Sequence, residues 1–173
     1  EDDMNHIILS VSALLLILAL ACPAFADGIG VENKAFIKAF NGNKHASELG
    51  LFFGKPVSSD ARGHKEVTTY RIGLNVFVSF ETEKGSPEIE RIKFLGIPDG
   101  TSSGAMTIYG GALLLFETLT PTLTPQQRNV TIKELGLDNL DRIAEKPRSA
   151  ELRDLSYITW IDEDGLWMTV NPD

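Results

Sequence analysis

Apolar positions along the chain follow two different periods, and their alternation predicts an α+β protein. The helical period comes first. Between Val31 and Asn41, Phe36, Ile37 and Phe40 recur at helical spacing, and Asn41-Gly42 ends the run. A shorter helical stretch starts at Lys44, passes through Leu49 and stops at Gly54-Lys55-Pro56. Residues 57–65 are polar and contain glycine, so they read as a loop. Three strands follow by alternation, Glu66–Ile72, Leu74–Glu81 and Glu88–Phe94. They are joined near Gly73 and through Lys84-Gly85-Ser86-Pro87. Gly96 to Gly104 is rich in Gly, Pro and Ser and reads as a linker between two units.

Beyond that stretch the order returns. Gly111 to Leu119 is a short apolar helix. Thr124-Pro125-Gln126-Gln127 starts another, with a Thr N-cap, Pro at the first helical position and Gln at the third. It should end at Gly136, and Leu137, Leu140 and Ile143 suggest a further turn or two before Pro147. Two strands close the chain, Leu155–Ile161 and Leu166–Val170, linked by the acidic turn Asp162-Glu163-Asp164-Gly165.

The two sets of elements correspond residue by residue. Glu48-Leu49-Gly50-Leu51 reappears as Glu134-Leu135-Gly136-Leu137. Tyr70 lies 19 residues beyond Leu51, and Tyr157 lies 20 beyond Leu137. Gly73 to Val78 matches Gly165 to Val170 in apolar alternation. The expectation is two related modules, residues 27–98 and 99–173, each helix–helix followed by antiparallel strands. Helices would cover one face of the sheet.

Leu49-Gly50-Leu51-Phe52-Phe53-Gly54-Lys55-Pro56, a polar loop, then Tyr70 and Leu74-Asn75-Val76-Phe77-Val78 make up a recognisable unit. It resembles the module of the beta-lactamase-inhibitor-like fold, and is similar to the small outer-membrane assembly lipoproteins of the SmpA/OmlA type. There a helix ends in an LGxP-like stop before a strand hairpin, and some members carry two modules in tandem. The second repeat departs from that pattern, since Leu135-Gly136-Leu137 meets no nearby Gly-x-Pro, only Lys146-Pro147 further on. The resemblance implies a scaffold that binds proteins rather than one that catalyses, and it carries over no site residues.

Ahead of the modules lies a different composition. An uncharged apolar run, Ile7 to Ala21, is followed by Pro23 and Ala24-Phe25-Ala26. That is the layout of a secretory signal peptide over residues 4–26, with Glu1-Asp2-Asp3 before Met4 read as a remnant or as the mark of an upstream start. Cleavage after Ala26 is the first expectation; lipidation at Cys22 and a retained anchor are the alternatives. The protein is therefore expected to be periplasmic or secreted.

Charge narrows the choice of partner. The full chain carries a formal −8, and residues 27–173 hold 21 acids and 16 bases, a charge of −5. A net acidic chain argues against nucleic acid or an anionic membrane surface, which need a clustered basic face. Membrane contact would come only through a lipid on Cys22. That is the single cysteine, so the mature part has no thiol for catalysis, metal binding or disulfides.

Catalytic motifs are weak throughout. His45 and His64 would need a carboxylate such as Asp60 or Glu66 to act as a metal or acid–base pair, and they read as surface histidines. Ser58-Ser59-Asp60 and Ser102-Ser103-Gly104 lack the nucleophile elbow. Asp162-Glu163-Asp164 lacks the alternating ligands of a calcium loop and reads as a solvated turn. Asn129-Val130-Thr131 is a glycosylation sequon inside a helix, and Gly100 to Gly111 lacks the lysine of a phosphate loop. No catalytic residue, metal or cofactor is assigned.

Strand parity is more informative. It places Leu74, Val76, Val78, Phe80, Leu166, Met168 and Val170 on the helix-covered face. Arg71, Asn75, Phe77, Arg91, Lys93, Trp160, Trp167 and Thr169 fall on the other. Exposed aromatics beside cations are enriched at protein interfaces. The expected function is an exported, non-catalytic protein that binds another protein, inhibitor-like or envelope-accessory, through this face. The alternatives are a small-molecule or peptide carrier using the cleft between the modules and, third, a hydrolase.

Overall fold

The computed structural model describes residues 28–173, so the leader expected over residues 4–26, with Cys22 and the Ala26 boundary, lies outside the described residues. Helix α1 (Asn33–Asn41) buries Phe36 and Phe40 on one side, as its period requires. Asn43 caps α2 (Lys44–Leu49) by accepting from the His45 amide. The Asn41 side chain then fixes the returning chain. Its Nδ2 donates to the Phe53 carbonyl and its Oδ1 accepts from the Phe53 amide, both at 2.9 Å. Phe53 is thereby set edge-on against Phe36, Phe40 and Tyr70 and stacked on Phe80.

Seven antiparallel strands form one sheet in the order β1-β2-β3-β4-β7-β6-β5. They are β1 (Ser58–Arg62), β2 (Lys65–Gly73), β3 (Val76–Glu83), β4 (Ile89–Gly96), β5 (Arg148–Leu152), β6 (Leu155–Asp162) and β7 (Gly165–Pro172). The edge strands β1 and β5 correct the sequence reading, which left both segments outside the sheet. Every residue of β1 is exposed, so no apolar alternation marks it. The centre of the sheet is the β4–β7 pair, where Ile92 faces Val170 and Phe94 faces Met168, all four fully buried.

Between the strand sets lie α3 (Ser102–Leu119), α4 (Pro125–Glu134) and α5 (Asp141–Glu145). Helix α3 starts nine residues ahead of the expected Gly111 and takes in the end of the supposed linker. Thr101 caps it by accepting from the Gly104 amide, and Asp99 in turn accepts from the Thr101 amide and hydroxyl. Those bonds hold the Asp99 carboxyl below its ordinary range. Helix α3 passes so close to β4 that a Cβ on Gly96 would stand 2.2 Å from Ile108 Cγ2. The capping box at Thr124 and Gln127 forms as its sequence predicts. Arg128 of α4 pairs with Glu117 of α3 at 2.5 Å, and Thr159 of β6 donates to the Leu135 carbonyl at 2.7 Å. Tyr157 is wholly buried against Phe116, and that burial pushes its phenol well above the usual tyrosine range.

Among the residues that parity turns inward there is one exception. Val76, Val78, Phe80, Leu166, Met168 and Val170 are all buried, but Leu74 is 71 % exposed. It sits with Asn75 in the two-residue turn between β2 and β3, outside the pleat that would have turned it inward.

The two Glu-Leu-Gly-Leu tetrapeptides do the same thing locally. Each ends a helix on a left-handed glycine, Gly50 at φ 66° and Gly136 at φ 71°. Leu51 donates back to the Ala46 carbonyl and Leu137 to the Ile132 carbonyl, both at 2.9 Å, and both leucines are fully buried. Alanine at Gly50 meets no neighbour and should cost about 1–2 kcal/mol for its left-handed backbone alone. Alanine at Gly136 brings a Cβ to 2.8 Å from the buried Ile143, so its loss in a urea melt should be larger. Equal losses would contradict this packing.

Candidate binding surface on the sheet

The second parity of the central strands lines a concavity of about 460 Å³ that runs from β1 across to β7. Two bulges border it, with Ile72 the extra residue of β2 and Glu90 the extra residue of β4. Bulges bend a strand and increase its twist, which suits a curved sheet.

Cross-strand register sorts the surface into rows. One row runs Arg71, Phe77, Leu95, Trp167, Trp160 across five strands. The next runs Thr69, Ser79, Lys93, Thr169, Ile158. A third begins Val67, Glu81, Arg91 and is continued by Asn171. Apolar and aromatic groups thus occupy one end, hydroxyls and a lysine the middle, and charges the other end.

Each row has its own electrostatics. In the charged row, Glu81 receives Lys65 at 2.7 Å and Arg91 at 3.6 Å, and the Lys65 contact holds its carboxyl below the usual range. Lys65 also reaches Glu90 at 3.0 Å, and Arg91 donates to Asn171 Oδ1 at 2.6 Å. In the middle row, Thr69 and Ser79 share a hydroxyl bond of 2.9 Å, while Lys93 is exposed and makes no ion pair among the described residues. Arg71 lies over the Phe77 ring at 5.9 Å, and its guanidinium donates to the Gly73 and Leu74 carbonyls. It braces the β2–β3 turn as well as edging the surface.

Trp160 and Trp167 stack at 5.6 Å with their planes 6° apart. Asp162 holds both, accepting from Trp160 Nε1 at 3.1 Å and Trp167 Nε1 at 2.9 Å. The same carboxylate accepts from the Asp164 and Gly165 amides of the turn. Partial desolvation pushes the Asp162 carboxyl up, but those four donors outweigh it and leave the group below its ordinary value.

Of the residues expected on this face, Phe77, Arg91, Lys93 and Trp167 line the concavity. Trp160 joins through its stack on Trp167, and Arg71 sits at the margin. Asn75 is not in this group. It belongs to the β2–β3 turn and to a second concavity of about 420 Å³ beside the start of α3. Thr169 is on the expected face but buried by its neighbours. Leu95 and Asp162 were missed. The sequence reading ended β4 at Phe94, one residue too early for Leu95, and treated Asp162 only as a turn residue. His45 is exposed and bonds Glu48 at 3.0 Å, and His64 is exposed in the turn between β1 and β2.

No protein-family profile matches the chain, and no curated protein or solved structure does either. The surface must therefore be read from its own chemistry.

A stacked indole pair gives an exciton couplet in the far-ultraviolet circular dichroism, and Asp162→Ala should diminish it at neutral pH. The folded Asp162 value lies below 3.8, so its contribution is complete above that pH and is lost as the pH falls through the lower folded value. A couplet that is unchanged in Asp162→Ala would show that the carboxylate does not hold the rings.

Proposed function

We propose that this chain is an exported, non-catalytic protein that binds another protein through the concave sheet face. The observation that carries this reading is the row Phe77–Leu95–Trp167, an accessible apolar shelf edged by cations on a curved surface. Aromatic residues with cations at the margin are the composition of interface centres. The pinned indoles add a second support, because rings already held in place lose little entropy on binding.

The architecture we propose behind it is two related helix–hairpin modules sharing one sheet, with helices on the opposite face. Its support is local. Both Glu-Leu-Gly-Leu turns have the same backbone geometry and the same buried leucine. Tyr70 and Tyr157 stand on β2 and β6, each the middle strand of an antiparallel three. Helix α3 packs on β3 and β4, and α5 on β6, from the side of the buried parity. Export rests on residues 7–26 alone: an apolar run, a proline and an Ala-x-Ala site.

Two experiments test these parts separately. Expressed with its own leader in a bacterial host, the protein should be recovered from the periplasm with Asp27 as its first residue. An intact leader or a lipidated Cys22 would replace that reading. For the surface, the mature protein should capture an envelope protein, and Trp167→Ala should abolish the capture. Trp167 is half-buried, so its truncation should also cost on the order of 1 kcal/mol through the lost ring pair. A loss of about 3–5 kcal/mol would instead make it a core residue and remove the support for a docking face.

A further inference from the structure

We propose that the sheet face takes an extended, acidic segment of its partner, carrying a carboxylate and a large apolar side chain two positions apart. This rests on the protein-binding reading above and specifies what is bound. Lys93 marks one end of the pattern. It is exposed in the middle row with Ser79 and Thr169 beside it, and no carboxylate of the described residues pairs with it. Arg62 of β1 also lines the concavity and makes no ion pair among the described residues, while the remaining cations are engaged. Lys65 and Arg91 reach Glu81, and Arg71 is held by the turn carbonyls. An incoming carboxylate therefore finds two unpaired cations, Lys93 and Arg62, of which Lys93 alone lies in the hydroxyl row beside the apolar shelf.

The apolar shelf fixes the spacing. Leu95 stands two residues from Lys93 on β4, on the same face, so the shelf begins roughly 7 Å from the lysine along the strand direction. Side chains two apart on an extended peptide have the same separation and also point the same way. A helix does not present this pattern, since its neighbouring side chains are three and four apart. A concavity of about 460 Å³ has room for a few side chains, and not for a folded element. The net charge of the whole chain, −8, is opposite in sign to this site. Attraction of an acidic segment is thus local to this concavity, where Arg62, Arg91 and Lys93 outnumber Asp60 and Glu81.

The chain has two tryptophans, and both belong to this face, so intrinsic emission reports on the site alone. The probe is a blocked peptide with glutamate and phenylalanine two positions apart, separated by threonine, titrated into the mature protein. A saturable change in emission is expected. Replacing the probe's glutamate by lysine should weaken it by at least roughly tenfold. So should moving the phenylalanine to the adjacent position. The variant Lys93→Glu should lose the acidic probe and gain the lysine probe. Equal response to both charges, or the same response in Lys93→Glu, would overturn the assignment. If no peptide binds while capture of an envelope protein still depends on Trp167, the inference is wrong and the docking face stands. If both are absent, the docking face falls with it.

Discussion

The pairing of β4 with β7 is the constraint on which the other features depend. Without it the sheet would separate into β1–β4 and β5–β7, each with a further unpaired edge. Joining them through Ile92–Val170 and Phe94–Met168 makes one core from helices and strands of both halves of the chain. The same pairing has a second effect on the opposite parity. It puts Lys93 beside Thr169 and Leu95 beside Trp167, so the surface rows exist only because the seam has this register. A slip by one residue would exchange the two sets, sending Lys93 inward and Phe94 into water. Stability and surface chemistry are therefore specified by the same hydrogen-bond ladder.

The seam also dictates where bulk is forbidden. Gly96 ends β4 where α3 crosses, and Gly165 begins β7 with its Cα close against the Gly96 carbonyl. Two glycines meeting there let the helix, the strand and the β6–β7 turn approach together. The turn in turn carries Asp162, whose position sets the two indoles. A chain of local necessities thus runs from backbone packing under the sheet to side-chain posture above it.

Much of the fold is legible in the sequence where a periodic apolar signal coincides with a terminator. Helices α1 and α4 and strands β2, β3, β4, β6 and β7 have both, and Thr124 and Gly136 act as expected, whereas α2 ends at Leu49 on the left-handed Gly50 and not at the expected Gly54-Lys55-Pro56 stop. The edge strands had no such signal, because β1 buries nothing and β5 buries only Ala150. The start of α3 was hidden by its own glycines and serines, which serve a capped, closely packed helix as well as a linker. The stack of Trp160 on Trp167 was within reach: a two-residue turn after Asp162 pairs 162 with 165 and hence 160 with 167. What parity alone does not give is a side chain reaching back across its own turn, as Asp162 does, or an arginine folding onto a neighbouring carbonyl, as Arg71 does.

The polar edge strand β1 bears on how the protein meets others. An unpaired strand edge is an invitation to any chain with free amides, and an apolar one leads to indiscriminate ribbon growth. Here the margin reads Ser58-Ser59-Asp60-Ala61-Arg62, short and charged with both signs. Such a border discourages lateral addition of strands without the need to close the sheet into a barrel. Under the proposed binding role, recognition at this border is left to side chains projecting from the face and not to the β1 backbone.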